Sequence, residues 1–564
     1  MFAKKKQSPQ WLVLRELTLP FWSRSEHRTQ VWVLTLLLFA LMGGMVYILI
    51  LLNRWNQGFY DALQNLNQAE FLRQLQIFFF IALGYGLIVA YKFYILQSLG
   101  VRWRQWLTEK SLSQWLSHKN FYLWQVLPNP SDNPDQRLSD DIRELTELSL
   151  EIGEKVLREL ITFLSFIGIL WALSTNLHFE VSGYQIEIQK YLVWACLIYA
   201  IVGTWIAHKI GFPLSKLNFI QQKFEADFRY LLMRLRENSE SIALEGGEAF
   251  EKQKLLSKFS QIVGNFRELI RRQKKLLLTT NVYGQFAYIF PFVVASPEVF
   301  TKQITLGQLF QISSAFGQVQ GSMSVFVDMY AKLMRLNSVA LRLGGFLISL
   351  NEMKSQHSPV LSISMAAQAL TIRNLRVRTP QGSELFGSFN FQSQSGERIL
   401  LIGASGKGKS TLVKAMNGLW PFAEGSIELS SLPVLILPQK PYLPIGKLSE
   451  AITYPANDQK FTREELREAL SKAMLSQFES SLEEHDDWSQ RLSAGEQQRL
   501  CFARIFVHKP KVLFLDEATS AVEKGLERKL FEKLIETLPQ LTLLTFTHDS
   551  ESLSEFHHRI VQLN

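Results

Sequence analysis

The sequence is poor in cysteine and in charge. Among 564 residues there are two cysteines, and only 20% of the residues are charged. So few cysteines exclude a disulfide-stapled secreted scaffold, and 31 glycines with 18 prolines exclude a collagen-like chain. A hydrophobic content of 47% excludes a disordered chain. The length allows three or more domains, or one large membrane unit with a soluble module attached.

Long apolar stretches lie almost entirely before residue 330. A helix needs about 20 apolar residues to cross roughly 30 Å of hydrocarbon, and charge at mid-depth is costly. Six stretches meet these conditions: 31–52, 77–96, 160–177, 191–207, 276–297 and 303–327. The second contains Lys92, whose long side chain can snorkel to the interface. Buried helices of a soluble protein would each need a polar face, and 31–52 contains no charge. We therefore predict an α-helical domain with six membrane spans over residues 1–350.

The distribution of lysine and arginine between these spans predicts their orientation. Residues 1–30, 97–159 and 208–275 contain six, eight and fourteen, whereas the other three connections contain two, one and one. Cytoplasmic loops carry the excess of positive charge. We therefore expect a multi-pass protein of the inner (cytoplasmic) membrane, with the N-terminus and the C-terminal module in the cytoplasm. The net charge of +9 then reflects topology in the lipid bilayer and not nucleic-acid binding. Cys196 falls in a span and Cys501 in the C-terminal module, so no disulfide is expected.

A polar linker over 351–368 separates the membrane domain from an α/β module over 369–564. Within the module, a short apolar strand pattern at 398–402 leads into a glycine-rich loop and then a helical pattern. The loop matches G-x-x-x-x-G-K-[ST], whose backbone N–H groups cradle phosphate oxygens at a helix N-terminus. In this context we predict a phosphate-binding loop and not a chance glycine-rich turn. Its residues are Gly403, Ala404, Ser405, Gly406, Lys407, Gly408, Lys409, Ser410 and Thr411.

A second apolar run, 512–515, ends in the two acids Asp516 and Glu517. Beside a phosphate-binding loop, the first acid is placed to hold Mg²⁺ together with Ser410, and the second is placed to polarise an attacking water. Lys409 is long enough to reach the β- and γ-phosphates. The run alone is equally typical of any strand that reaches a polar turn. Together, the loop and the two acids indicate an ATPase that uses ATP and Mg²⁺.

The string Leu492-Ser493-Ala494-Gly495-Glu496-Gln497-Gln498-Arg499 resembles the signature loop of ATP-binding cassette (ABC) transporters. Other cassette landmarks occur in order: Gln439 resembles the Q-loop residue, 518–521 lead into a D-loop, and His548 resembles the switch histidine. The resemblance implies a type IV, exporter-like six-span fold fused to an α/β P-loop ATP-binding cassette. It further implies that Gln439 contacts ATP and Mg²⁺ and that His548 assists hydrolysis. Ser493 and Gly495 would contact ATP held by a second protomer, so the resemblance implies a homodimeric half-transporter.

The chain departs from the commonest cassette pattern at several positions. Ala494 and Glu496 stand where glycine and glutamine are usual, and Glu523 stands where the D-loop usually has aspartate. Most cassettes stack adenine on an aromatic residue about 30 positions before the P-loop lysine, but 375–380 contain none. Arg378 is the nearest side chain able to stack in its place.

The membrane half resembles the SbmA/BacA group of peptide-uptake proteins and the fatty-acyl transporters of ABC subfamily D. The segments that carry this resemblance are 53–64, 133–137 and 237–248. It implies uptake of peptides or bulky hydrophilic solutes such as cobalamin. An exporter or fatty-acyl and lipid transporter of the same fold, or a membrane-tethered regulatory ATPase, remain alternatives.

The fifth and sixth spans each contain a polar face. Its members are Asn281, Gln285 and Tyr288 in the fifth span and Gln308, Gln311, Ser314 and Gln318 in the sixth. These faces either line a water-filled cavity for a polar solute or hold helices together by packing and hydrogen bonding.

Overall fold

The folded chain divides into two units. The computed structural model describes residues 10–127, 133–175, 177–181, 184–356, 361–366, 370–404, 406–430, 433–548 and 553–563. One unit comprises Met1–Gln114 and Ser131–Ser349, and the other comprises Trp115–Pro130 and Leu350–Asn564. The sequence pattern placed the end of the first domain at residue 350, but it did not separate the segment 115–130 from that domain.

Long helices dominate residues 10–356, most of which belong to the first unit. In chain order the elements from residue 10 to residue 356 are α1 (Gln10–Arg24), α2 (Arg28–Gln64), α3 (Gln68–Leu116), α4 (Asn120–Val126), α5 (Pro134–Gln136), α6 (Ile142–Leu173), β1 (Leu177–Val181), β2 (Tyr184–Ile188), α7 (Tyr191–Glu237), α8 (Ser239–Glu245), α9 (Glu248–Phe300) and α10 (Leu306–Gln356). A single π-helical turn, Arg137–Asp141, precedes α6. The strands β1 and β2 pair as an antiparallel hairpin.

Six of these helices are long and apolar enough to cross a membrane, namely α2, α3, α6, α7, α9 and α10. Each coincides with one predicted span, so the six-span fold is confirmed. The helices are much longer than the spans: α9 has 53 residues, about 80 Å at 1.5 Å per residue. Because the hydrocarbon core is only about 30 Å thick, α9 extends well beyond it. Hydropathy detects only the part of a helix that lies in lipid.

Two span boundaries differ from the prediction. Helix α6 ends at Leu173 and Ser174 is extended, so the predicted third span, 160–177, overruns the helix and reaches the start of β1. The sixth helix begins at Leu306, three residues after the predicted start at 303. Both errors have one cause: apolar composition does not distinguish the end of a helix from an adjoining strand or turn.

The positive charge of Lys92 is neutralised within the protein. Its ammonium lies 2.6 Å from a carboxylate oxygen of Glu154 on α6, and the two side chains are 15% and 9% exposed. Arg158 lies 3.3 Å from the same carboxylate oxygen. The sequence suggested that Lys92 snorkels to the interface, but this ion pair compensates the charge through a neighbouring helix.

The C-terminal end of α2 caps the first turn of α10. The carboxylate of Asp61 accepts a hydrogen bond from the backbone N–H of Gly307 at 3.0 Å, and the amide oxygen of Gln64 accepts one from Leu306 at 3.0 Å. The first N–H groups of a helix have no partner inside it, and a carboxylate there also interacts favourably with the helix dipole. The sequence segment 53–64, singled out by its family resemblance, therefore attaches α2 to α10.

Two further contacts extend this attachment, which we call the α2–α10 clasp. The side-chain amide of Asn53, fully buried, donates to the backbone carbonyl of Gln311 at 2.8 Å. The ring of Tyr60 stacks on that of Phe310, with centroids 3.7 Å apart. The clasp thus covers the last turns of α2 and the first two turns of α10.

The second unit is an α/β cassette. Its elements are β3 (Leu361–Ala366), β4 (Thr371–Arg378), β5 (Glu384–Gln392), β6 (Arg398–Ile402), α11 (Lys409–Met416), β7 (Ala423–Ser430), β8 (Val434–Leu437), β9 (Gly446–Lys447), α12 (Leu448–Thr453), α13 (Arg463–Lys472), β10 (His485–Asp486), α14 (Trp488–Arg491), α15 (Ala494–His508), β11 (Val512–Asp516), α16 (Lys524–Thr537), β12 (Thr542–Thr547) and β13 (Arg559–Gln562). A five-stranded sheet has the order β13-β6-β12-β11-β8, and a four-stranded sheet has the order β3-β7-β4-β5. The predicted α/β cassette fold is confirmed.

The five-stranded sheet is parallel throughout, and its strand β11 is buried on both faces. Alternate side chains of β11 pack into two different hydrophobic clusters. Leu513 and Leu515 belong to one cluster, whereas Val512 and Phe514 belong to the other. This double burial explains why 512–515 is uninterrupted by polar residues, as is typical of parallel strands covered by helices.

The cassette begins earlier than the sequence pattern indicates. Helix α10 continues to Gln356 and β3 pairs in parallel with β7, so the predicted linker 351–368 contains the end of a helix and an edge strand of the sheet. The sequence of β3 alternates apolar residues with serine. Its serines gave the segment the composition of a linker and concealed the period of two.

Candidate functional site

The carboxyl ends of three adjacent strands bring the predicted site residues together. Strand β12 lies between β6 and β11, with Thr547 opposite Ile402 and Phe546 opposite Asp516. Each sequence motif begins where its strand ends, so the loop at 403, the acid at 517 and the histidine at 548 emerge at one edge. Loops at the carboxyl ends of parallel strands are where α/β proteins bind ligands.

Two glycines shape the loop between β6 and α11. Gly406 and Gly408 have φ of 82° and 86°, a left-handed conformation that is costly for residues with a side chain. A Cβ at Gly408 would also lie 3.2 Å from a ring carbon of Phe386. The loop ends at the N-terminus of α11, where Ser410 and Thr411 occupy the first turn. Free N–H groups at such a turn are suited to phosphate oxygens. Ser405 lies outside the described residues.

Lys409 is 5% exposed and folds back over the loop. Its ammonium donates to the carbonyl oxygens of Gly403 at 2.7 Å and Ala404 at 3.3 Å. It also lies 3.1 Å from a carboxylate oxygen of Glu517. A buried ion pair is held at a high desolvation cost, so an anionic phosphate can replace the carboxylate as the partner of Lys409.

Glu517 is surrounded by the other predicted groups. One of its oxygens accepts a hydrogen bond from the side chain of Gln439 at 2.7 Å, and the other lies 3.5 Å from Nδ1 of His548. Its backbone is left-handed, with φ of 48°, and its N–H donates to the carbonyl of Phe546 at 3.0 Å. A non-glycine residue pays roughly 1–2 kcal/mol for this conformation. The conformation turns the residue out of the line of β11 immediately after Asp516.

Asp516 is suited to hold a divalent cation. It is 6% exposed, and its Oδ1 atom has no hydrogen-bond partner within the part of the chain that the structure describes. Burial raises the pKa of its carboxyl group, against an opposing hydrogen bond from Ser410. A carboxylate and a hydroxyl are the hard oxygen ligands that Mg²⁺ prefers, and a cation would compensate the buried negative charge. The residues present therefore fit a Mg²⁺ ion.

Ser493 and Glu496 form a capping box at the start of α15. The serine hydroxyl donates to the glutamate carboxylate at 2.8 Å, and the serine backbone N–H donates to the same oxygen at 3.0 Å. Burial opposes ionisation, but these bonds and the nearby Arg499 outweigh it and lower the pKa of Glu496. The glutamate that replaces the usual glutamine thus places a negative charge at the signature loop.

The first turn of α15 packs closely against the segment after Glu517. A Cβ at Gly495 would lie 2.8 Å from the carbonyl oxygen of Ala521, so only glycine fits there. Among the described residues, no hydrogen bond or ion pair joins Ser493 or Gly495 to the phosphate-binding loop. The buried amide of Gln498 also contacts this segment. The sequence alone does not predict a role for Gln498, because nothing in the string 492–499 distinguishes it from the neighbouring Gln497.

Two family models match the chain, one for each half. The family described as ABC transporter transmembrane region 2 matches residues 21–300, and the family described as ABC transporter matches residues 386–520. The inner membrane ABC transporter ATP-binding protein YddA of Escherichia coli is 33% identical over 94% of this chain and 93% of its own length. The chain belongs to the ABC transporters.

Other ABC transporters resemble it over most of their length. ABC transporter D family member 2, chloroplastic, of Arabidopsis thaliana is 30% identical over 98% of this chain and 86% of its own. The human lysosomal cobalamin transporter ABCD4 is 26% identical over 82% of this chain and 80% of its own. The chain is therefore an ABC-type ATPase of the D type, with its membrane domain and its ATP-binding cassette in one polypeptide.

In this ABC transporter, Arg378 already has a partner. Its guanidinium lies 3.3 Å from a carboxylate oxygen of Glu424, with both side chains 42% exposed. Its backbone carbonyl accepts a hydrogen bond from the indole of Trp420 at 2.8 Å. To stack on adenine, Arg378 would have to give up an exposed ion pair, which is worth about 1 kcal/mol or less. Adenine stacking by Arg378 stays a prediction.

The polar faces of the last two spans have different surroundings. Gln311 is 5% exposed, and Gln308 accepts a hydrogen bond from the backbone of Thr305 at 2.9 Å, where it closes the start of α10. Gln311 is therefore buried within the chain, and Gln308 caps the start of its own helix. On α9, Tyr288 is 66% exposed within a single chain.

Proposed function

We propose that the chain acts as a homodimeric, ATP-driven importer of peptides or bulky hydrophilic solutes such as cobalamin. One observation supports ATP hydrolysis as the energy source: the carboxylate of Glu517 lies 3.1 Å from the ammonium of Lys409 and 3.5 Å from the imidazole of His548. This cluster lies beside a phosphate-binding loop, in a chain whose described residues include six helices long and apolar enough to cross a membrane.

The contacts of Lys409 suggest how ATP prepares the site. Residues 403–411 bind the phosphates, and Lys409 exchanges the carboxylate of Glu517 for a phosphate oxygen. This exchange leaves Glu517 free to accept a proton from the attacking water, as a general base must. His548 lies nearest the same carboxylate oxygen of Glu517 as Lys409 does, and it assists this proton transfer. Ser410, Gln439 and Asp516 would hold Mg²⁺, which would supply positive charge to neutralise the phosphates.

A second protomer completes each ATP site. The chain has one phosphate-binding loop and one signature segment, and Ser493 and Gly495 make no bond to their own loop among the described residues. In a homodimer these residues would contact the γ-phosphate bound by the other chain. Closure of two cassettes on ATP and their opening after hydrolysis would drive alternating access.

The proposed solute class rests on resemblance. The segments 53–64, 133–137 and 237–248 resemble peptide-uptake proteins, and one relative is named a cobalamin transporter. The charge distribution between the spans supports a cytoplasmic cassette in the cell membrane. A cassette on that side is compatible with import and with export, so direction has to be measured.

Solute flux in proteoliposomes tests this proposal. Vesicles with cassettes facing outward are pre-loaded with labelled proline-rich peptide, cobalamin or a fatty acyl-CoA, and ATP is added outside. Glu517→Gln serves as the blank for each solute. ATP-dependent loss of one label toward the cassette side supports import and identifies the solute class. Accumulation of externally added label would indicate export instead, and ATP turnover without flux of any of these solutes would contradict the proposed solute classes.

A further inference from the structure

Gln498 lies on α15, one turn after Gly495, and is only 5% exposed. Its side-chain oxygen accepts a hydrogen bond from the backbone N–H of Ala521 at 2.8 Å. Its side-chain nitrogen donates to the backbone carbonyl of Gln439 at 3.3 Å and to the hydroxyl of Ser520 at 3.2 Å. One buried amide therefore joins the signature helix to two separate loops.

Both loops contact Glu517. The side chain of Gln439 donates to the Glu517 carboxylate at 2.7 Å. The backbone N–H of Ser520 donates to the Glu517 carbonyl at 3.1 Å. Gln498 thus contacts Glu517 only indirectly. It bonds to Gln439, whose side chain orients the Glu517 carboxylate, and to the turn at 520–521, which orients the Glu517 backbone.

The contact depends on the chemistry of an amide. Gln498 needs an acceptor for Ala521 and donors for Gln439 and Ser520 at the same time, which leucine lacks and an ionised carboxylate supplies only in part. Burial removes water as a substitute partner, so an unmatched group there is costly. The close approach of Gly495 to the carbonyl of Ala521 shows independently that α15 and this loop are packed without a gap.

We propose that Gln498 is a positioning residue for ATP hydrolysis, which transmits the position of the signature helix to Glu517 through both loops. The inference rests on the proposed role of Glu517 as general base. Gln498 is buried and is not among the residues proposed to bind ATP or the attacking water. Its loss is therefore expected to reduce kcat while leaving ATP binding by the phosphate-binding loop intact.

The test compares Gln498→Leu and Gln498→Glu in the intact protein, with Gln490→Leu on the exposed surface of α14 as the matched control. ATP turnover is measured against ATP concentration in reconstituted protein. Gln498→Leu is expected to lower kcat roughly tenfold or more, with the KM for ATP changed less than about twofold. Gln490→Leu is expected to match the wild type.

Gln498→Glu adds a readout that a structural defect would not produce. A protonated carboxylic acid supplies the acceptor for Ala521 and one donor, enough for Gln439 or Ser520, whereas the ionised form has no donor. Burial raises a carboxyl pKa, so kcat of this variant should recover toward the wild-type value as the pH falls from about 8 to about 6. The pH profile of Gln498→Leu should remain parallel to that of the wild type.

Three outcomes would overturn the inference. Wild-type kcat in Gln498→Leu would show that the amide does not position Glu517. A Gln498→Glu profile parallel to the wild type would show that the donor is irrelevant, even if Gln498→Leu fails to fold. Glu517→Gln is measured in the same assay. If this variant turns over ATP normally, the proposed role of Glu517 as general base fails, and the inference fails with it. If Glu517→Gln is inactive but the Gln498 variants are normal, only the positioning role of Gln498 is refuted.

Discussion

A single methyl group at residue 307 should separate α10 from α2. A Cβ built on Gly307 would lie 2.2 Å from the backbone carbonyl oxygen of Gln57 and 2.5 Å from a carboxylate oxygen of Asp61. Ordinary contacts of this kind are near 3.4 Å, so the overlap is about 1 Å with a backbone atom that cannot rotate away. Gly307→Ala therefore has to displace one helix and break the α2–α10 clasp.

Two effects contribute to the loss of stability expected for Gly307→Ala. Overpacking a closely packed site typically costs about 1–3 kcal/mol. Losing the caps that Asp61 and Gln64 provide adds about 1 kcal/mol for each cap. We therefore expect Gly307→Ala to destabilise the protein by roughly 3–5 kcal/mol.

Matched controls lie on the same helix. A Cβ at Gly317 or Gly321 meets no heavy atom within 4 Å, so alanine at either position should be neutral or slightly stabilising, because glycine weakens a helix interior. The assay is thermal unfolding of the detergent-solubilised protein, followed by the fraction that remains monodisperse. If Gly307→Ala unfolds at the same temperature as Gly317→Ala, the clasp does not hold these helices together.

Two further substitutions test charges in the cassette. Glu496→Gln should raise the apparent affinity for ATP about fivefold in turnover assays, because it removes a carboxylate from the loop proposed to face the γ-phosphate, an effect of roughly 1 kcal/mol. Burial lowers the pKa of His557 to about 4, from a usual 6.5. The unfolded chain therefore binds a proton at this imidazole more tightly than the folded chain does. The free energy of unfolding is retained above pH 6.5 and falls by about 2 kcal/mol between pH 7 and pH 5. His557→Gln should remove this part of the pH dependence of thermal unfolding.

Each of these substitutions has a control within the chain. Thr462 and Glu465 form the same capping box at the start of α13, so Glu465→Gln should leave the ATP affinity unchanged. An equal effect of Glu465→Gln and Glu496→Gln would contradict the phosphate-facing role. For His557, a variant whose stability falls with pH as steeply as the wild type would show that burial does not keep this imidazole neutral.

Much of the candidate site is visible in the sequence because its parts are short local strings. The glycines of the phosphate-binding loop, the acids after an apolar run and the histidine after another apolar run each follow a strand. Once the strands are parallel neighbours, their following residues must meet at one edge of the sheet. The six spans are visible for a similar reason, since hydropathy needs no information about partners.

Partners that are distant in sequence were not predictable. Asp61 and Gly307 are 246 positions apart, and Lys92 and Glu154 are 62 apart, so no local pattern connects them. Gln498 has the same limitation, because only the folded chain shows that its amide meets two loops.

The end of α6 at Leu173 and the strand β3 were missed for a different reason. Composition is nearly continuous across those boundaries, and only the backbone direction changes.

Substitution of Glu517 tests the central claim most directly. Glu517→Gln keeps the size of the side chain but removes the base and the charge that faces Lys409. ATP turnover and solute flux should be measured in the same proteoliposomes, together with ATP binding, using Glu536→Gln on the exposed surface of α16 as the control. The account predicts that ATP still binds while turnover and flux fall together by about 10²–10³-fold. Turnover near the wild-type rate would contradict it.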